Sequence, residues 1–162
     1  MRLRALAERD VDELIAVHAD PQTRRFSPAA PAYARAAAAA HVRGGSGAVV
    51  WGIELLDAPG RLAGLIELRA VHAHAGYVDV GYRTAAWARG RGVARGALSL
   101  VVGHGFRHGC HRVELLAAVD NTASRRVAER CGFHFEGIAR DREYLHGRYR
   151  DLAVYSRLST DS

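Results

Sequence analysis

Apolar and polar positions along the chain change their spacing near residue 90. From Tyr77 to Thr84 they alternate, which predicts a β-strand. From Val93 the apolar residues recur at helical spacing, which predicts a long helix that ends near His108. Residues 89–92 between these two segments read Arg-Gly-Arg-Gly. A strand, a glycine turn and a helix in this order place free backbone N–H groups at a helix start, where an anion can bind.

The rest of the pattern predicts strands interleaved with helices. Further strands are expected at Leu3–Ala7, Ala48–Leu55, Leu62–Val71, Arg112–Val119, Phe133–Glu136 and Tyr149–Leu158, and further helices at Asp10–His18, Arg35–Val42 and Ser124–Cys131. Pro21, Pro28 and Pro31 predict a loop after the first helix. The run from Arg112 to Val119 is almost continuously apolar, which predicts a strand buried on both faces. We therefore expect a single domain over residues 1–162 with a mixed sheet of the α/β (α+β) class.

The glycine turn differs from two other phosphate-binding loops. A P-loop needs Gly-Lys-Ser/Thr at the helix start, and the chain contains no lysine. A dinucleotide fingerprint needs a third glycine where Arg95 stands and an acidic residue about 20 positions later. Gly90 and Gly92 allow a ligand to approach the backbone closely, and Arg89 and Arg91 add positive charge. The turn alone is equally compatible with an ordinary connection between a strand and a helix.

Composition narrows the class of protein. With 49% hydrophobic and 25% charged residues, the chain is typical of a soluble globular protein. No apolar stretch approaches the ~20 residues that span a bilayer, and none has the form of a signal peptide, so we expect a cytoplasmic protein without a membrane partner. Cys110 and Cys131 indicate neither a disulfide framework nor a metal site. Two closely spaced pairs of histidines lack acidic or cysteine partners, so no metal is expected.

The net charge of +6 has two interpretations. A basic surface suits an anionic cofactor, and it is also typical of nucleic-acid-binding domains. The arginines are spread along the chain, without a block of five like charges and without interleaved aromatic residues. Nucleic acid is therefore the weaker alternative, and it predicts binding that depends steeply on salt.

The glycine turn carries a family resemblance. Arg89-x-x-Gly92-x-Ala94 resembles the pattern of the GNAT superfamily of acetyl-CoA-dependent N-acetyltransferases, and the preceding Val80-Gly81-Tyr82 strand resembles that family at the expected distance. The similarity extends from about Asp79 to Leu158, and more loosely back to Leu3. The motifs that follow the turn stand in one reading frame and resemble the ribosomal-protein N-terminal acetyltransferase (RimJ/RimL-like) branch: Asn121-x-x-Ser124, Cys131-Gly132-Phe133, Glu136-Gly137, Glu143-Tyr144, Gly147 and Asp151-x-x-x-Tyr155-Ser156.

This resemblance implies a fold, a cofactor and its contacts. The GNAT fold is a mixed, twisted central sheet that splays in the middle, with helices on both faces. The acetyl donor would be acetyl-CoA, without a metal. In this family the backbone of the glycine turn holds the diphosphate, the preceding strand holds the pantetheine arm, and an asparagine contacts that arm. The corresponding positions here are Arg89, Gly90, Arg91, Gly92, Val93, Ala94 and Arg95 for the turn, Tyr82, Arg83 and Thr84 for the strand, and Asn121 for the asparagine.

The branch pattern also implies two catalytic side chains. Ser124 corresponds to the serine that acts as general acid near the thiol, and Glu143 to the glutamate that acts as base, directly or through water. Ser124 could instead only cap a helix, and Glu143 could be a solvated surface carboxylate. Glu114, in the predicted strand before Ser124, is a rival base. The residues expected on the acceptor side are Tyr144, Asp151 and Tyr155.

The expected reaction is the transfer of an acetyl group from acetyl-CoA to a primary amine by direct attack in a ternary complex. A free α-amino group, with a pKa of about 7.7 to 8.0, loses its proton more easily than a lysine with a pKa of about 10.4. This favours an α-amine or another low-pKa amine as the acceptor, and the branch resemblance suggests the N-terminus of a ribosomal protein. A small-molecule amine such as an antibiotic or an amino acid, and a catalytically idle acetyl-CoA-binding module, are the alternatives. A homodimer is compatible with the sequence.

Overall fold

One sheet of seven strands organises the structure. The computed structural model describes residues 1–27, 35–44 and 48–161. The strands are β1 (Arg2–Arg4), β2 (Ala48–Glu54), β3 (Gly64–His72), β4 (Tyr77–Thr84), β5 (Arg112–Ala118), β6 (His134–Leu145) and β7 (Arg148–Leu158). The helices are α1 (Val11–Ala19), α2 (Pro21–Arg25), α3 (Arg35–Val42), α4 (Val93–Arg107) and α5 (Thr122–Arg130). Each predicted strand and helix is present with its ends shifted by a few residues, apart from the end of β6; Pro28 and Pro31 lie outside the described residues.

The sheet opens in its middle. Its strand order is β1-β2-β3-β4-β5-β7-β6, and β4 and β5 run parallel while all other neighbours run antiparallel. The parallel pairing covers three residue pairs and ends with Asp79 opposite Glu114. Beyond that point β4 continues to Thr84 and β5 to Ala118 without pairing to each other. This geometry confirms the predicted mixed sheet that splays in the middle.

Helices pack on both faces of this sheet. The backbone of α4 at Gly105 lies against Leu68 of β3. Arg83 of β4 stands opposite Leu65 of β3 in the register and donates to the Ser27 hydroxyl, just after α2, at 3.0 Å. Residues directly opposite each other in an antiparallel pair point to the same face, so Leu65 and Arg83 face α2. Leu65 and Leu68 are three positions apart in one strand, so Leu68 points to the other face, towards α4. The long helix α4 and the group formed by α1, α2 and α3 therefore lie on opposite sides, as predicted.

The core lies between these layers. Leu65, Ile66, Leu98 and Val101 have no exposed surface, and burial of each such side chain contributes about 1.5–3 kcal/mol. The prediction that β5 is buried on both faces is wrong, because Arg112, Glu114 and Leu116, which share one face of it, are only half-buried. Over the described ranges, no helix has the length and apolar character needed to cross a membrane.

The predicted loop after α1 begins instead with a short helix. Pro21 is the first residue of α2. A helix tolerates proline there because the N–H at that position has no partner within the helix in any case. The Asp20 carboxylate caps this helix by accepting a hydrogen bond from the Thr23 N–H at 2.8 Å. The proline that was expected to prevent a helix therefore starts one, and α2 is brought against the opening in the sheet.

Strand β6 is longer than predicted. It continues past Glu136 to Leu145 and pairs with β7 in one long hairpin. His146 and Gly147 form the turn, with φ values of 53° and 79°. Positive φ at both central residues is the conformation that matches the twist of two-residue hairpin turns. Glu143 therefore lies on a strand rather than in a loop.

Candidate active site

The opening between β4 and β5 forms a cleft of about 980 Å³. Its walls are the unpaired parts of these two strands, together with α2, the glycine turn, the start of α4 and one face of α5. One end, which we call the glycine-turn side, is formed by residues 90–95 and by α5. The other end, the α2 side, is formed by residues 22–27 with charged residues of β3, β4 and β6.

Six consecutive backbone amides are open at the glycine turn. The N–H groups of residues 90–95 donate to no acceptor within the described ranges, and no side chain caps the start of α4 at Gly92. Gly90 and Gly92 have φ values of 73° and 72°, and a Cβ atom on either would meet open space. The glycines are therefore required by the backbone conformation that exposes these amides. Open amides at a positive helix end form a site for an anion.

The arginines around this turn differ in their partners. Arg89 is ion-paired with Asp20 through both guanidinium nitrogens and also contacts the Thr23 hydroxyl, so it joins the turn to α2. Arg91 points away from the cleft and binds Asp57 at 2.5 Å. Arg95 lines the cleft, and no described carboxylate lies within ion-pair distance of it. Of the three arginines predicted at the turn, Arg95 is thus the one with a side chain available to a ligand.

Ser124 and Tyr82 form a hydroxyl pair inside the cleft. Their oxygens lie 2.9 Å apart, with Tyr82 reaching from β4 to the first turn of α5. Burial raises the pKa of Tyr82 to about 12, although the hydrogen bond to Ser124 acts in the opposite direction. Asn121 accepts a hydrogen bond from the Ser124 N–H at 3.2 Å and caps α5. The cap is therefore Asn121, and the Ser124 hydroxyl faces Tyr82.

Carboxylates on the α2 side differ in how far they are compensated. Glu143 is half-buried and lines the cleft, and among the described residues it has no ion pair or side-chain hydrogen bond. Glu67 and Asp79 also line the cleft, but both are ion-paired with arginines. The rival Glu114 binds Arg112 at 3.1 Å and is not part of the cleft wall. Glu143 is thus the cleft carboxylate with lone pairs available to a ligand.

The three residues predicted on the acceptor side do not reach the cleft wall. Tyr144 is 63% exposed and packs edge-on against Tyr149, with ring centroids 5.0 Å apart. Asp151 accepts a hydrogen bond from the Asp141 N–H at 2.9 Å. Tyr155 has no exposed surface, and its hydroxyl donates to the Glu129 carboxylate at 3.0 Å.

The α2 segment and the β6–β7 hairpin touch next to the α2 side of the cleft. His146 at the hairpin turn lies 2.7 Å from the Arg24 carbonyl oxygen. Arg150 donates to the Arg25 carbonyl at 3.0 Å and to the Asp120 carboxylate at 2.9 Å. Arg25 binds the same carboxylate at 3.0 Å. These contacts fix the two segments relative to each other.

Sequence reasoning missed several cleft residues. Arg126 and Arg130 project from α5 into the cleft wall, and Glu67 and Ser27 line its α2 side. The signal for the first two was present, since arginines four positions apart share one helix face. Glu67 and Ser27 had no local signal, because their positions depend on pairing of β3 with β4 and on Arg83. Within the described part of the chain, no group of three or more His, Cys, Asp or Glu side chains could hold a metal ion.

The fold and the cleft together define an acetyltransferase-type architecture. The chain belongs to the acetyltransferase (GNAT) domain family, whose model matches residues 1–134. YdaF of Bacillus subtilis, named as a candidate ribosomal N-acetyltransferase, is 36% identical over 103 residues, which are 63% of this chain and 56% of YdaF. The ribosomal-protein-serine acetyltransferase of Escherichia coli is 30% identical over 98 residues, which are 60% of this chain and 55% of that protein.

Solved structures agree with this assignment. RimL, described as a ribosomal L7/L12 alpha-N-protein acetyltransferase in complex with coenzyme A, superposes with a TM-score of 0.82 at 25% identity, covering 96% of this chain and 92% of RimL. These relatives confirm the predicted resemblance to the RimJ/RimL-like branch. The chain spans just over half the length of the two curated relatives.

Proposed function

We propose that this protein is an acetyl-CoA-dependent N-acetyltransferase that acetylates a primary amine by direct attack in a ternary complex. The observation that carries the proposal is the continuous cleft. It joins six open amides at one end to an uncompensated carboxylate, Glu143, at the other, with the Ser124–Tyr82 hydroxyl pair along its wall. An anion site, an extended channel and a proton acceptor are the parts that transfer from a long anionic donor requires.

The residues present fit acetyl-CoA. The amides of residues 90–95 would hold the diphosphate, since no described group accepts from them and there is open space at Gly90 and Gly92. Tyr82, Arg83 and Thr84 lie where β4 has lost its β5 partner, so an extended arm can add to this edge as a strand does. The side-chain amide nitrogen of Asn121 completes this set. When bound, acetyl-CoA supplies an acetyl group activated as a thioester.

Two proton positions follow from the side chains. Glu143 would take the proton from the acceptor amine, directly or through one water, because its carboxylate is not engaged by an arginine. Ser124 would hold a proton at Oγ close to where the arm ends. The Tyr82 hydroxyl, 2.9 Å away, stays protonated and would donate a hydrogen bond to Ser124 Oγ as Ser124 gives up its proton. A serine supported in this way is a better proton donor than an isolated one.

The acceptor that we favour is the α-amine of a protein N-terminus. The names of the relatives support this choice, since two of them describe acetylation of ribosomal proteins and one describes an α-N-protein acceptor. An α-amine also needs less help to lose its proton than a lysine does.

Thiol release from acetyl-CoA with a panel of acceptors tests this proposal. The panel contains ribosomal-protein N-terminal peptides with a free or blocked α-amine, peptides with an internal lysine, and small amines. We expect turnover with free N-terminal peptides and loss on blocking. Turnover with small amines alone would show that the acceptor is a small molecule and not a protein N-terminus. Cofactor binding without any turnover would indicate a binding module.

Two substitutions test the catalytic roles. Glu143→Gln and Ser124→Ala should each lower kcat by about 10²- to 10⁴-fold while calorimetric acetyl-CoA binding stays within a few-fold, as for loss of general acid–base catalysis. Glu114→Gln is the matched control, since that carboxylate binds Arg112 outside the cleft wall. A larger loss in Glu114→Gln than in Glu143→Gln would reverse the assignment of the base.

A further inference from the structure

The arginines that line the cleft fall into two groups. On the α2 side, Arg69 binds Asp79 at 2.9 Å and Arg83 lies 3.6 Å from Glu67. Arg89, which joins the glycine turn to α2, is paired with Asp20. On the glycine-turn side, three cleft arginines have no carboxylate within ion-pair distance among the described residues: Arg95, Arg126 and Arg130. All three are exposed on the cleft wall. The same residue type is thus compensated at one end of the cleft and uncompensated at the other.

These three side chains belong to one small region. Arg126 and Arg130 are one turn apart on α5, and both face the cleft. Cys131, the residue after α5, contacts the Arg95 carbonyl oxygen through Sγ at 3.5 Å. The last turn of α5 therefore lies against the first turn of α4, which brings Arg130 close to Arg95 and to the open amides.

The arrangement is unfavourable for the protein by itself. Like charges four residues apart on a helix repel each other. Arg95 stands in the first turn of α4, where the helix dipole is positive and acidic residues are preferred, yet neither α4 nor α5 has an acidic residue in its first turn. Positive potential that the fold leaves uncompensated at a cleft favours an anionic ligand.

The negative charge of coenzyme A matches the uncompensated positive charge of these arginines. Coenzyme A carries a diphosphate and, on its ribose, a separate 3′-phosphomonoester, and a phosphomonoester has a charge of about −1.5 to −2 at pH 7. The amides of residues 90–95 would hold the diphosphate, as proposed above. We propose that Arg95, Arg126 and Arg130 form a second anion subsite that binds the 3′-phosphomonoester. This inference rests on the proposed function, namely that the cleft binds acetyl-CoA.

Calorimetric titration with coenzyme A and with 3′-dephospho-coenzyme A tests the subsite without turnover. Wild-type protein should bind coenzyme A at least about tenfold more tightly, as expected for charge-assisted hydrogen bonds. In Arg126→Gln/Arg130→Gln, the affinity for coenzyme A should fall towards that for the dephospho form. Affinity for the dephospho form should change by less than about threefold, because the amides are untouched.

Arg107→Gln is the matched control. It removes one exposed positive charge from α4, about 18 Å along the helix from Arg95 at 1.5 Å per residue. It should leave the preference for coenzyme A unchanged, whereas a general effect of net charge would lower it. Equal affinity of wild-type protein for the two ligands, or equal losses for both in the double variant, would overturn the subsite. Failure of wild-type protein to bind either ligand would count against the proposed function instead.

Discussion

The two ends of the cleft use the same charged residue in opposite ways. At the α2 side, Arg69 and Arg83 are ion-paired with carboxylates inside the fold. At the glycine-turn side, Arg126 and Arg130 and a row of six amides lack described partners. The arginines of the α2 side are therefore neutralised by carboxylates of the chain itself, whereas the positive charge of the glycine-turn side stays available to an anion.

Because of this difference, the two ends of the cleft should respond to different solution conditions, one to ionic strength and the other to pH. Interactions of exposed charges with a ligand weaken as salt screens them, so the glycine-turn side should respond to ionic strength. The α2 side contains internal ion pairs, and the buried His18 of α1 is influenced by the charge of Arg83 on this side, so its stability responds to pH through the groups that titrate. Substitutions at the two ends should therefore have effects of different kinds as well as sizes.

The largest effect is expected from a negative charge placed among the open amides. Gly92→Glu should weaken coenzyme A binding at least about 100-fold, or about 2.7 kcal/mol, because it opposes the diphosphate and forces a side chain into the left-handed region at φ 72°. Gly92→Gln has the same size without the charge and should lose about tenfold. Calorimetry measures both. An affinity of Gly92→Glu within threefold of wild type would exclude binding of the diphosphate by the amides of residues 90–95.

An intermediate effect is expected from pH at the α2 side. Burial lowers the pKa of His18 to about 4, and the positive charge of Arg83 acts in the same direction. An unfolded histidine binds a proton near pH 6.5, so the contribution of His18 to stability is complete above that pH and is lost as pH falls towards 4. The unfolding free energy should fall by about 1 kcal/mol between pH 7.5 and pH 5.5 from this group.

Urea unfolding of His18→Leu provides the comparison for this pH effect. The unfolding free energy of wild type minus that of the variant should fall by about 1 kcal/mol between pH 7.5 and pH 5.5, since the variant lacks the titrating imidazole. Parallel pH profiles for the two proteins would show that another group is responsible.

The smallest effect is expected from Arg91, although it lies in the glycine turn. Its guanidinium binds Asp57 and lies 5.7 Å from the centroid of the Trp87 ring, outside the cleft wall. Arg91→Gln should therefore change coenzyme A affinity by less than about twofold, because the backbone amide of residue 91 is still present among the open amides. A loss above tenfold in the same titration would show that the side chain turns towards the ligand.

Local patterns predicted the parts of this molecule that depend on neighbours in sequence. Alternation from Tyr77 to Thr84, helical spacing from Val93 and the glycines between them fix the strand, the helix and the turn. The end of β6 was missed because residues 139–143 carry no apolar alternation. Pro21 was misjudged because a proline stops a helix and also starts one.

Side-chain partnerships were beyond local reasoning. The Tyr82–Ser124 hydroxyl pair joins residues 42 positions apart, and the ion pair of Arg89 with Asp20 joins residues 69 apart. Neither follows from the spacing of residues, because both depend on how the sheet opens. The family resemblance supplied the identity of Ser124 and Glu143 as candidates, but their surroundings came from the structure.

The short parallel pairing of β4 with β5 has a consequence for how a ligand leaves. Exposed strand edges normally lie at the rim of a sheet, but here Val80 to Thr84 present one in its interior. An extended arm bound there becomes an inner strand of a continuous sheet. Dissociation then requires several backbone hydrogen bonds to break together. Shortening the arm should therefore change the dissociation rate more than it changes the association rate.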